Sequence, residues 1–298
     1  MDGLTGAEYG FLLLTSKLGD PDRKALTVPQ FRELFSRMEQ MQRREASGKV
    51  EVSDLLSIGY NHTVAAHIVE LLQEGELLEH YLRKAKRAGC IPITRATEGY
   101  PVLLRKRLGL DSPGVLWAKG DISLLNTPAI ALVGSRKLLC ANREFAACVG
   151  REAARQGYTL ISGNARGADQ TAQNACLEAG GKVICVVADS LEKQQTQENI
   201  LYLSEDSFNG EFSAQRALSR NRVIHALGLK TFVAQASFGT GGTWDGTVKN
   251  LQKGHSPVFC FADGSQACAE LTQLGAKMIT MAQLSDLSAL QPDIQSFL

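Results

Sequence analysis

Residues 160–181 read LISGNARGADQTAQNACLEAGG, and the fold turns on how this stretch is parsed. An apolar run of strand type ends at Ser162, stops at Gly163, and restarts past Gly167 as a helical pattern. Gly163 and Gly167 would let backbone amides approach a ligand closely. A helix beginning near Ala168 and Asp169 would present free N–H groups and the positive end of its dipole. Arg166 adds a full charge, while Asp169 stabilises the helix start and can orient that arginine. The expectation is a phosphate-holding turn, with Ser162, Gly163, Arg166, Gly167 and Asp169 around it.

The same grammar runs outward. After Pro128 the apolar runs AIALVG, TLISG, KVICVVA, NILYLS, KTFVAQA and SPVFCF alternate with helical stretches such as NREFAACVGREAARQG. Nearly continuous Val/Ile/Leu strands separated by helices imply a mostly parallel sheet covered on both faces, an α/β, doubly wound, Rossmann-like fold. Ligands of such sheets bind at the carboxyl ends of the strands. Three more segments arrive there. LVGSRKLLCANREF (132–145) offers Gly134, the hydroxyl of Ser135 and the planar donor fork of Arg136, but it is not a GxGxxG fingerprint. FSAQRALSRNRVIHALG (212–228) brings Arg220, Asn221 and Arg222, expected near a helix beginning, with Arg216 one turn earlier. QASFGTGGTWDGTVKNLQKG (235–254) gives a flexible loop of Gly239, Thr240, Gly241, Gly242 and Thr243 ahead of a helix. It lacks the Lys-Ser/Thr ending of a P-loop, and Trp244 reads as core sooner than as a base-stacking ring.

Composition sets limits. With 32 Lys+Arg against 31 Asp+Glu, the net charge of +1 excludes a generally basic surface, so any nucleic-acid site must gather its charge locally. The seven cysteines form no CxxC pair and read as small core residues of a reducing compartment; no metal-ligand spacing is present. None of His62, His67, His80, His225 and His255 has a Ser or Cys nucleophile in view, so no catalytic set is expected. The amino-terminal apolar run FLLL is too short for a signal peptide or a membrane span, and a soluble cytoplasmic protein is expected.

Residues 1–90 read as a smaller helical domain, and 91–298 as the Rossmann-like domain. Phe31, Leu34, Phe35, Met38 and Met41 fall on one face of a helix and are expected to face a core. VSDLLSIGYNHTVAAHIVELLQ (52–73) reads as helix, turn at Gly59 and helix. The stretch after residue 90, broken by Pro92, Pro101 and Pro113, reads as turns.

In this order the four segments resemble the DNA-processing protein A family, also called DprA or Smf, with its VGSR, SGxARGID, RNRII and SGxxxTA motifs. The counterparts are VGSR at 133–136, SGNARGAD at 162–169, SRNRVI at 219–224 and GTGGT at 239–243. GYPVLLRKRLGLDSPGVLWAKGDISLL is similar to the family's approach to the first strand. The resemblance implies single-stranded DNA binding without base preference, protection of incoming DNA, loading of RecA in natural transformation, and a homodimer. It implies that Arg136, Arg166, Arg220, Asn221 and Arg222 hold the backbone, with Gly163 and Gly167 shaping the pocket. Two positions depart from the pattern: Gln173 replaces a histidine and Gln235 an acidic residue. GTGGTWDG also drifts towards nucleotide-sensing and LOG-type proteins, although Gly246 stands where a LOG phosphoribohydrolase has its catalytic glutamate, one residue from Asp245. The reading carried forward is a non-catalytic single-stranded DNA binder without cofactor or metal. Beside it stand a sensor of a nucleotide-derived ligand and a LOG-type hydrolase of nucleoside monophosphates.

Overall fold

The computed structural model describes residues 3–39, 49–205 and 207–291. Five helices come first: α1 (Gly6–Thr15), α2 (Val28–Glu39), α3 (Val52–Ser57), α4 (His62–Gln73) and α5 (Gly75–Arg87). Their starts follow local chemistry. Thr5 and Glu8 form a capping box on α1, and the side chain of Asn61 caps α4. The stretch read as turns holds β1 (Ile91–Thr94), α6 (Val102–Leu108) and β2 (Val115–Gly120). From there the chain alternates: β3 (Ala129–Val133), α7 (Cys140–Arg155), β4 (Thr159–Ser162), α8 (Ala168–Glu178) and β5 (Val183–Val186). It continues with β6 (Ile200–Glu205), α9 (Ala214–Leu227), β7 (Thr231–Val233) and α10 (Gly242–Lys253). Last come β8 (Val258–Phe261), α11 (Gln266–Gln273) and β9 (Lys277–Ile279).

All six apolar runs are strands of one sheet, ordered β1-β2-β6-β5-β4-β3-β7-β8-β9. The pairs from β6 to β9 are parallel, while β1 and β2 add an antiparallel edge. The fold is therefore α/β with a mostly parallel, doubly wound sheet. β3 has β4 on one side and β7 on the other, so the winding reverses at β3 and opens a crevice beyond its carboxyl end. β1, β2 and β9 were not legible as strands. Pro92 sits in the edge strand, where a missing N–H is tolerated.

One face of the sheet is packed by Phe145, Val149, Ala172 and Cys176 of α7 and α8, together with Leu12 and Leu13 of α1 and Tyr81 of α5. Tyr81 meets Trp117 and Phe208 with ring centroids 5.3 and 4.8 Å away, which seats α5 on the sheet. The other face is packed by Leu104 of α6, Val223, Ile224 and Leu227 of α9, and Leu271 of α11. A small third core joins Leu14, Leu34, Leu55, Ile68 and Leu71.

Two expectations fail in the periphery. In α2 only Leu34 is buried, whereas Phe35 is 56% and Met38 38% exposed; Met41 lies outside the described residues. The helix meets α1 along the Phe11–Phe31 contact and Leu34, so just a narrow part of its apolar stripe is covered. Among the cysteines, Cys140 is exposed and Cys148 half-buried rather than core. Among the described residues no helix is long and apolar enough to cross a membrane.

Candidate functional site

Three loops meet at the carboxyl ends of β3, β4 and β7, with α9 packed beside them. The β3–α7 loop is central. Ser135 accepts the N–H of Ala168 at the start of α8, and donates its own N–H to Gln235 beyond β7 at 2.9 Å. Gly134 is needed here because a Cβ would stand 2.5 Å from the Ala168 methyl. Arg136 projects from this loop, exposed.

The β4–α8 turn is crowded. The carbonyl of Gly163 accepts from Arg220, whose same nitrogen donates to the Val186 carbonyl at 2.5 Å. A Cβ at Gly163 would be driven into that guanidinium, and one at Gly167 would stand 2.5 Å from the carbonyl oxygens of Ser135 and Arg136. Asp169 is buried, and its Oδ2 accepts the N–H groups of Gly163 and Ala165 at 3.1 and 3.2 Å. Burial holds its carboxyl up at about 6, against the pull of Arg220, the two amides and Arg136. Burial likewise pushes Arg220 down, Asp169 pulls it up, and Arg136 opposes it as a like charge. Arg136 therefore stands within electrostatic reach of both. The Nε of Arg220 is buried without a hydrogen-bond partner among the described residues. Arg166 lies exposed on the turn, and neither it nor Arg136 makes a hydrogen bond or ion pair among the described residues.

The structure corrects several sequence expectations. α9 starts at Ala214, capped by Ser213, so Arg220–Arg222 lie mid-helix and not at its beginning. Positions 220 and 222 are about 200° apart around a helix, so both cannot face one pocket. Arg222 points the other way, to Glu205 at 2.5 Å and to the carbonyl of Asp111. Arg216 binds the Ala188 carbonyl and the Ser204 hydroxyl, and also braces the sheet. Asn221 donates to the Gly242 carbonyl at 2.9 Å, tying α9 to the start of α10. Ser162 is buried and its hydroxyl is taken by Gln173. The free helix start expected at α8 is partly closed, since Ala168 and Gln170 donate to Ser135 and Ala165.

The β7–α10 loop is the open counterpart. Gly239 and Gly241 have φ of +69° and +88°, with empty space where a Cβ would sit. The N–H groups of Gly242, Thr243 and Trp244 have no acceptor among the described residues, because the first α10 bond runs from Asp245 to Gly241. Thr240 is exposed and Thr243 half-buried. Trp244 packs on the second core, as its core reading anticipated. Gln235 accepts from the Leu139 N–H at 3.0 Å. Gln173 is thus a buried brace, while Gln235 is half-buried and ties the β3–α7 loop to the end of β7. The arrangement can hold anions by two free guanidinium groups and open helix amides.

The family model described as "DNA recombination-mediator protein A" matches residues 92–288. A DNA processing protein DprA of Streptococcus pneumoniae is 30% identical over 190 residues, 58% of this chain and 66% of that protein. Its Bacillus subtilis counterpart is 27% identical over 221 residues, 69% of this chain and 73% of that protein. Among solved structures, DprA from Streptococcus pneumoniae superposes with a TM-score of 0.72 at 24% identity, covering 97% of this chain and 99% of that one. A Helicobacter pylori DNA processing protein A, described for its single-stranded DNA binding mode, gives a TM-score of 0.55 at 23% identity, over 66% of this chain and 94% of that one.

Proposed function

This chain belongs to the DNA recombination-mediator protein A family, and from that premise we propose that it binds single-stranded DNA by its phosphates and performs no chemistry on it. One observation carries the reading. Arg136, Arg166 and Arg220 come from three separate elements, yet gather around Gly163 and Gly167 at the carboxyl end of the sheet. Two of these, Arg136 and Arg166, are exposed and form no ion pair among the described residues. Phosphates of a flexible strand can reach such a rim while the bases stay unread. The relatives named as DNA processing proteins support the same reading, as does the Helicobacter pylori neighbour described by its single-stranded DNA binding mode. The role that follows is protection of single strands in DNA uptake and their delivery to RecA, by a homodimer. Gln173, buried against Ser162, offers nothing to the ligand of a sensor.

Fluorescence anisotropy across a salt series, with single- and double-stranded oligonucleotides, tests the proposal. Arg136→Ala and Arg166→Ala are each expected to weaken single-strand binding equally for any sequence. Each should also lower the log–log salt slope by about 0.7, the share of one phosphate contact on a single strand. Arg222→Ala should leave that slope alone and lower stability instead, because its partner is Glu205. Binding of both rim variants at the parent's strength, in moderate salt, would refute the assignment.

A further inference from the structure

Resting on that single-strand reading, we infer that the β7–α10 side of the rim is a nucleobase subsite with Phe238 as its platform. The rim has two unlike halves on either side of the β3–α7 loop. Ser135 is bonded on one side to the start of α8, and on the other to Gln235. Arg136 and Arg166 stand towards the first side. Leu139, Leu218 and Phe238, from three different elements, border the second and are 66%, 50% and 47% exposed.

These apolar groups have little packing role to explain them. The N–H of Leu139 is held by Gln235, and Leu218 stands beside Gly242. The Phe238 ring is fixed in place. A bridge between Ser237 and Thr240 closes the turn beneath it, and it meets Trp244 edge-on at 5.1 Å. Trp244 is itself anchored in the second core. A ring held this way loses little freedom when a ligand arrives. Above the neighbouring Gly239 and Gly241 there is open space. A single strand is amphipathic in the same sense as the rim, with charged phosphates along one edge and flat apolar bases along the other. Every base presents a π-face, so stacking here adds affinity without reading sequence. Neither half needs the other chemically, but α9 holds both: Arg220 bonds Gly163 and the next residue, Asn221, bonds Gly242.

The experiment uses the full chain with two probes of equal length, an oligothymidylate and the same phosphodiester backbone without bases. Phe238→Ala is expected to bind oligothymidylate about tenfold more weakly, with an unchanged salt slope. It should bind the abasic strand as the parent does, and Phe238→Trp should restore the loss. Equal weakening on both probes, or no weakening on oligothymidylate, overturns the subsite. So does a shift in sedimentation with binding unchanged, which assigns the patch to contact between copies of the chain. If the parent binds neither probe, the single-strand reading fails first, and this subsite with it.

Discussion

The rim contains two glycine turns that look alike as strings of letters and differ in physics. The turn at 163–167 is filled: the Arg220 guanidinium occupies the place of a Gly163 side chain, and two carbonyls crowd Gly167. The loop at 239–242 is empty: glycine is used there for its backbone conformation, with no atom within 4 Å of the missing Cβ at Gly239 and Gly241. The first turn also closes much of its helix start, while the second leaves three amides of α10 without acceptors among the described residues. A filled turn fixes charge in position; an open one leaves room for a ligand. Glycine at a helix start therefore signals two different things, and only the neighbours tell which.

The sharpest way to break this contrast is Gly163→Ala. The new methyl cannot coexist with the guanidinium, which would be expelled from its bonds to Gly163 and Val186. Breaking a buried charged network of this kind costs roughly 3–5 kcal/mol. Urea unfolding should show a loss of that size. A cost under about 1 kcal/mol would mean that the turn yields as freely as the open one.

The filled turn also carries a buried acid. Asp169 sits at about 6 in the folded protein against an ordinary 3.8. Between those values the folded chain keeps a proton that the unfolded chain gives up. Its contribution is complete below 3.8 and lost as pH rises through 6, on the order of 3 kcal/mol. Both amides use one oxygen, Oδ2, so Asp169→Asn can keep them. The variant should gain on the parent by about that amount between pH 4 and pH 7. His225 slopes the other way: burial pushes it to about 3, so its contribution is lost as pH falls from 6.5. The difference between variant and parent, measured across the pH range, isolates Asp169. A flat difference would show that this carboxyl is not confined as described.

Much of this was legible. Near-continuous runs of Val, Ile and Leu announced six strands, and their alternation with helices announced the doubly wound sheet. The glycine turn after β4 was legible because an apolar run stops there and a helix restarts. What stayed hidden depends on direction rather than identity. The SRNR motif places two arginines two residues apart, and helical periodicity alone forbids both from facing the pocket once Ser213 is seen as the cap. The misplaced helix start hid that Arg222 points away from Arg220, towards Glu205. Gln173 and Gln235 departed from the family pattern, and the partners that explain them, Ser162 and the Leu139 N–H, lie 11 and 96 positions away. Phe238 drew no notice because nothing in the letters of a glycine-rich loop says which way its aromatic ring faces. The short strands β1 and β9 carried too few apolar residues to be told from turns.

The smallest expected effect tests the open side. At Gly239, φ is +69° and nothing obstructs a methyl, so Gly239→Ala meets only the cost of left-handed backbone, about 1 kcal/mol. A more restricted unfolded chain offsets part of that, by about 0.4–1 kcal/mol. Thermal unfolding should move by a few degrees at most. The methyl would nevertheless enter the space beside Phe238 where a strand is expected to lie, so single-strand affinity should fall by more than this stability change accounts for. A destabilisation as large as that of Gly163→Ala would mean the two turns are built alike. Unchanged affinity would mean that the space above the open turn stays empty when DNA is bound.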